Sequence, residues 1–528
     1  RTAGGLSIGV LAAVTGNEFG QGLFEDGSRD DFLVEPRSEF GVLSLAQDLN
    51  DGATTFSAIA TGMRRELPGD ASFDWLPSSA FSGGARFEHQ WADRTWGIYG
   101  VVGLSQVRGS EAAITRIQRA ANHYFQRPDA TRFAVDETAT SIAGLNWRVQ
   151  LDKRAGQHWT GGIWAAEVTN GFEINDLGFS ATAERLDGGV RISYREIQPG
   201  SVFRNYNVTA MTYHNWSHEA LDDTWSLDSW RDARMRGSFR MNTSFQFLNY
   251  WNLRMNASYS PQAMSRSSTR GGPIMVNPAS TDFSVNMSSD RRKAVSFGSN
   301  FKVTDDRIGA GGSTDIRADI RVQPSDRLSV SVSPNWSTAT SDAQYVTSTS
   351  TLAYDPTYGR RYLFAELDRQ SFSMVTRLDW TFSPTLTLQL YAQPLLSSGD
   401  YVEYKQLAGA ESYEFLGFEP GSAQALENGI SCSSNICNVD GRQHVDFDGD
   451  GFTDYSFSDR DFNVRSLIGN AVLRWEYRPG STIFLVWQRQ QVDRALIGDF
   501  DLSRDAGALF DAPADNRFII KMNYWLGL

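Results

Sequence analysis

The chain has 528 residues, a 41% hydrophobic fraction, 12% aromatics, 47 glycines and a formal net charge of −13. That charge argues against nucleic acid as a partner, since the phosphate backbone is bound by cationic surfaces. No stretch approaches roughly eighteen consecutive apolar residues, which excludes transmembrane helices; a transmembrane β-barrel stays open, because its lipid face uses only every second residue.

The chain opens at Arg1 with neither Met nor a signal peptide, so a processed or truncated form is expected, with an N-terminal domain or plug lost ahead of residue 1. Gly5-Leu-Ser-Ile-Gly9 matches the Gly-x-Ser-x-Gly of a nucleophile elbow. That motif needs a helix after its turn, and none follows, so it reads as a barrel strand. From there strand-like runs are separated alternately by short turns and long polar loops. The short connections lie near Asn50–Ala53, Ala92–Thr95, Asp152–His158, Gln198–Ser201, Phe247–Trp251, Asp290–Lys293, Gln323–Arg327, Ser383–Thr385 and Arg478–Ser481. The long ones cover residues 15–38, 66–78, 109–139, 172–180, 216–229, 262–280, 304–313, 346–361, 401–461 and 493–515. This divides the chain into about twenty strands (range roughly 18–22), an even number, as bacterial single-chain barrels have. Short turns on the periplasmic rim and long loops on the extracellular one are the outer-membrane pattern.

Asn175-Asp-Leu-Gly178 reads as a loop turn, with a ligand contact as the alternative. Tyr213 to Trp230, rich in Trp, Tyr and Asp, suits rings packed on each other more than rings stacked on sugars. His214 and His218 are four apart, which on an extended strand puts them on one face about 13 Å apart, too far for one metal.

Residues 315–322 alternate without a break. Ile316, Ala318, Ile320 and Val322 take one face, and Asp315, Arg317, Asp319 and Arg321 the other. Arg377 and Asp379 oppose Leu378 and Trp380, and Arg474 and Glu476 oppose Leu473 and Trp475. A charge near the hydrocarbon midplane costs about 2–4 kcal/mol, so the charged sets are expected to line a wet lumen and the apolar sets to meet lipid.

Within 401–461, Cys432 and Cys437 suggest a small disulfide and an oxidising compartment. His444-Val-Asp-Phe-Asp-Gly-Asp-Gly-Phe-Thr-Asp454 follows. Asp446, Asp448, Asp450 and Asp454, with the carbonyl of Phe452, match the first nine places of a Ca²⁺ loop. The twelfth place is Phe457 rather than Glu, so the closing ligand must come from elsewhere, with Asp459 as a candidate. The alternative is a solvated acidic turn. The last strand, Arg517–Leu528, sets Phe518, Ile520, Met522, Tyr524, Leu526 and Leu528 on one face, like the C-terminal targeting strand of outer-membrane barrels.

Several motifs are similar together to one family: Phe125-Gln-Arg-Pro-Asp-Ala130, Asn170-Gly-Phe-Glu-Ile-Asn-Asp-Leu-Gly-Phe179, Arg474-Trp-Glu-Tyr-Arg-Pro-Gly-Ser481, Phe484-Leu-Val-Trp-Gln488 and Tyr524-Trp525. They resemble the C-terminal barrel of a bacterial outer-membrane family of unknown function. Its members usually carry a family-9-like carbohydrate-binding domain ahead of the barrel. The resemblance implies an outer-membrane location and, through that missing domain, carbohydrate as a partner.

The expected architecture is therefore all-β, a single transmembrane antiparallel barrel over residues 1–528. Three function classes follow. A gated or plugged transport barrel is the first. A surface anchor holding a binding domain or partner subunit is the second. An outer-membrane hydrolase ranks last, because no Ser/His/Asp set converges, and no enzymatic activity is expected. A lumen of about twenty strands is wider than side chains fill. Loops 109–139 and 401–461, a lost N-terminal segment or a partner subunit are the expected closures.

Overall fold

The structure, a computed structural model, describes residues 4–24, 26–306, 311–426 and 429–526. Strands of nine residues or more follow one another as β1 (Leu6–Thr15), β2 (Ser38–Leu49), β3 (Thr54–Arg65), β4 (Ser79–Trp91), β5 (Trp96–Arg108), β6 (Ser141–Lys153), β7 (Trp159–Val168), β8 (Arg185–Glu196), β9 (Phe203–Trp216) and β10 (Arg234–Phe247). They continue as β11 (Asn252–Ser260), β12 (Ser280–Ser288), β13 (Val295–Asp306), β14 (Gly311–Ser325), β15 (Leu328–Thr349), β16 (Arg361–Ser383), β17 (Leu386–Leu407), β18 (Phe462–Arg478), β19 (Ser481–Ala495) and β20 (Ala514–Asn523). These twenty and the three-residue Phe415–Gly417 make one antiparallel sheet of 21 strands, the expected fold class. Gly5-Leu-Ser-Ile-Gly9 runs into β1 and forms no elbow.

All the short turns fall where the turn chemistry places them. The long loops are less uniform than their composition suggests. Residues 15–38 contain a hairpin, Glu18–Leu23 with Arg29–Glu35, and 262–280 another, Ala263–Ser265 with Met275–Asn277. Strands β15, β16 and β17 have 22, 23 and 22 residues, so the segments expected as loops at 346–361 and 401–461 begin several residues later. At about 3.4 Å per residue each is roughly 75 Å long, far more than the 9–11 residues that span a bilayer.

The chain divides into two compact units, Arg1–Arg195 with Thr209–Phe239 and Pro261–Asn277, and Glu196–Val208 with Arg240–Ser260 and Pro278–Leu528. In the first, strand register joins residues into rows that share a face. Leu45, Ala58, Ala85, Val102 and Trp147 form one row, and Phe56, Phe87 and Val149 belong to the next on the same face. The opposite face carries Ser57, Arg86, Val101 and Arg148, then Glu88, Tyr99 and Gln150.

The second unit repeats the pattern. Val295, Val322, Val330, Leu378, Leu390, Ala471, Trp487 and Phe518 are successive partners on one face. Arg321, Ser331, Arg377, Tyr391, Asn470, Gln488 and Arg517 run along the other. The apolar face is bare: Ile316 is 52% exposed, Trp475 50% and Ile520 75%. Aromatics collect at the turn ends, where Trp91 faces Trp96 and Trp380 packs on Phe382 at 4.3 Å.

Candidate functional site

The eight charged residues expected to line a lumen, Asp315, Arg317, Asp319, Arg321, Arg377, Asp379, Arg474 and Glu476, all lie on the polar face of the second unit. Their ion pairs run along one strand, while their contacts across strands go to neutral partners. Arg317 meets Asp319 at 3.0 Å and Arg474 meets Glu476 at 3.0 Å, while Ser333 donates to Asp319 at 2.6 Å.

In the first unit the long-loop end of the polar face is covered. Met63, Ala80, Val107 and Ile142 are register partners on the face that carries Arg86 and Glu88 further along. On them pack Ile114 and Phe125 from loop 109–140, and Ile114 and Val107 are wholly buried. Ile114 belongs to helix α1 (Glu111–Arg119), which starts at Ser110, whose Oγ accepts from the Ala113 N–H, and ends with Arg116 and Arg119 favourably placed at the helix C-terminus. Sequence reasoning left this helix unmarked, although the Ser cap and the spacing of Ile114 and Ile117 were visible.

A second segment, 169–184, lies flat on the same face. The Glu173 N–H donates to Ser105 Oγ at 2.9 Å, and a side chain at Gly144, the register partner of Ser105, would strike the Phe172 backbone at 2.1 Å. Asp176 pairs with Arg65 at 2.8 Å. The Asn175–Gly178 turn is therefore a clamp onto the sheet.

Both segments are tied together by buried polar groups. His123 Nε2 meets Glu173 Oε2 at 2.9 Å and its Nδ1 meets the Asn170 carbonyl at 2.9 Å. Burial raises the Glu173 carboxyl, but hydrogen bonds from His123, the Asn175 N–H and Asn122 outweigh it, leaving the pKa below the ordinary range. His218 lies between Glu167 at 2.9 Å and Glu184 at 3.2 Å, and Arg266 pairs with Glu184. His218 thus has a structural partner set that excludes His214, which packs on Trp216 and Phe239 instead. The Tyr213–Trp230 segment likewise packs ring on ring, Trp216 against Trp230 at 5.1 Å. Arg127 is fully buried, its nearest anion is Asp129 at 3.8 Å, and its guanidinium has no hydrogen-bond partner among the described residues. Burial pushes its pKa down against the pull of Asp129 and Glu219.

In the second unit, the described residues 418–426 and 429–461 fold as a small body. Ile436–Val439, Arg442–Val445 and Tyr455–Ser458 form a three-stranded sheet. Ile436, Val445 and Phe457 pack on Val346, Leu363, Ala365 and Tyr404 of the long strands. Cys432 and Cys437 are disulfide-bonded with Cα atoms 5.6 Å apart. Beside them Asp446, Asp448 and Asp454 bring carboxylate oxygens within 4.8 Å of one another. Asp450 is not in that group: its carboxylate accepts the Phe452 N–H at 2.8 Å. Asp446, 3% exposed, also accepts the Gly449 and Gly451 N–H groups at 2.7 Å each. Asp459 turns away to Asn438 and Tyr404, so the sequence's candidate closing ligand is spent elsewhere.

Comparison with solved structures finds distant likenesses. The FrpB iron transporter from Neisseria meningitidis (F3-3 variant) aligns with TM-score 0.39 and 9% identity over 85% of this chain and 74% of its own. The siderophore receptor PirA from Acinetobacter baumannii gives 0.39 and 7% over 99% and 74%, and an anion-selective porin from Comamonas acidovorans 0.27 and 10% over 65% and 91%. No curated protein matches the sequence. Residues 1–528 match a family described as a domain of unknown function, DUF5916.

Proposed function

The chain belongs to the DUF5916 family along its whole length, and from that premise we propose that it is a bacterial outer-membrane transport barrel whose pore is narrowed by its own loops. The observation that carries this reading is the covered polar face: α1 with Phe125, and the segment around Glu173, are anchored on the same face that bears Arg86 and Glu88. A soluble sheet would bury its apolar face instead. Here Ile320, Phe518 and their neighbours stay bare, which suits hydrocarbon, and the charged rows suit water.

The test is conductance in planar bilayers. The intact protein gives small, rarely opening channels, and removal of residues 112–138 gives large, steady ones. Large steady conductance from the intact protein would remove the gated reading and leave a simple pore. If a carbohydrate-binding domain precedes the barrel, as in the resembled family, the solute is a saccharide. Fusing such a domain and measuring saccharide flux into liposomes examines that point.

The acidic turn of the long loop holds Ca²⁺ in a structural role. Three converging carboxylates repel one another unless a hard cation neutralises them, and weak-affinity sites suit extracellular millimolar Ca²⁺. Asp446, Asp448 and Asp454 are the carboxylate ligands. Ca²⁺ is expected to raise the thermal midpoint of the loop and Asp448→Asn to abolish the rise. An equal response to Ca²⁺ in Asp448→Asn would show the turn to be only acidic.

A further inference from the structure

A cavity of about 260 Å³ opens among the loops of the first unit. Four segments build it: residues 121–124 after α1, 182–185 at the start of β8, Asn215 with Met235 and Arg236 at the ends of β9 and β10, and 264–267 of the inserted hairpin. Its lining holds three guanidinium groups, Arg185, Arg236 and Arg266, with His123, Asn122 and Ser265 among the polar remainder, and no carboxylate at all. In a chain of net charge −13 this is a local reversal of sign.

The nearby carboxylates sit behind the wall and are occupied there. Glu173 takes His123 and Asn122, Asp187 takes Arg185 at 3.0 Å, and Glu184 takes Arg266. They fix the cationic side chains without entering the cavity. Two sets of donors are left over. Arg266 Nη2 is buried without a hydrogen-bond partner, and Arg236 has no ion-pair or hydrogen-bond partner among the described residues. Burial and the neighbouring Arg127 lower Arg266 to about 9, so it remains a cation at neutral pH. A buried guanidinium with a spare N–H is costly, and the group that relieves it best is an oxyanion, which accepts charge-assisted hydrogen bonds in a forked geometry.

We propose that this cavity binds the phosphate or carboxylate group of one small solute. The volume lies just below the roughly 300–1,000 Å³ of pockets for drug-sized ligands, so the occupant is a monomeric molecule rather than a polymer. Arg236 and Arg266 hold the anion, and Asn122, Asn215 and Ser265 offer neutral contacts to the rest. The site is independent of whether the barrel conducts, and it is tested by binding alone.

The experiment is titration calorimetry on the full chain in detergent micelles with three six-carbon probes, glucose 6-phosphate, gluconate and glucose, and with inorganic phosphate for the headgroup alone. Binding of the phosphate or carboxylate forms, weakening as salt rises, is expected, with no heat from glucose. Whichever of gluconate and glucose 6-phosphate binds tighter identifies the headgroup. Arg236→Gln should weaken binding about tenfold while leaving the fold intact, since the side chain is exposed. Ser267→Glu, which adds a carboxylate at an exposed position of the lining, should abolish it. Equal binding of glucose, unchanged affinity in both variants, or no binding of any anion would overturn the proposal.

Discussion

Glu173 shows how one side chain holds a loop to a sheet. It is 4% exposed, receives His123 and Asn122, and its own N–H reaches Ser105 on β5. Glu173→Gln should loosen 169–184 by roughly 1–3 kcal/mol, the worth of buried hydrogen bonds to a charged group, read as faster proteolysis of that segment. Its pKa is lowered in the fold, so the carboxylate contributes its stability above the ordinary glutamate pKa of about 4.3 and loses it as pH falls through the depressed value. The same cleavage assay run from neutral pH downward should therefore show the segment tight at neutrality and released in acid. A cleavage rate flat with pH in the wild type would separate Glu173 from the clamp. Little of this was legible in the sequence. Partners such as Asp129 and Ile274 lie 145 residues apart, and Glu173 and His123 50 apart, so no local pattern announces them.

Elements behaved differently, because a strand with one apolar and one polar face writes its period into the sequence. The short turns at Arg478–Ser481 and Asp290–Lys293, and the alternation at 315–322, were readable from turn chemistry and period alone. Hidden were the far ends of β15–β17, packed on both faces, where neither face has to be apolar throughout; α1, with Arg116 and Arg119 exposed, was readable from its cap and spacing. The alternation carries its own test. Ile320→Arg, on the bare apolar face of β14, should destabilise the folded protein in bilayers by about 2–4 kcal/mol. Ser331→Arg, on the other face of β15, should cost little. Equal penalties at both positions would contradict the assignment of faces. In the long loop, Cys432→Ser with Cys437→Ser removes a bridge closing a short ring, a loss of about 2 kcal/mol on the chain-entropy account. It should lower the loop's proteolytic resistance and leave the strands untouched.

At the scale of the whole molecule, the expected orientation puts 408–461 outside the cell and Gly480 in the periplasm. Cysteine placed at position 480 should react with an impermeant maleimide only after permeabilisation, and proteases should reach 408–461 on intact cells; the reverse pattern would invert the topology. The order of the sheet has a further consequence. From β1 to β8 and again from β11 to β20, each long strand pairs with its neighbour in the chain, and even the 54 residues 408–461 are an insertion between strands that remain partners. A sheet of that kind has no crossings to preserve. A hairpin can be added or dropped, or a new body grafted between two strands, without re-routing anything else, so growth by whole pairs is the change this order permits. Relatives should then differ in strand number by steps of two, and in the lengths and contents of their loops far more than in the rhythm of their strands.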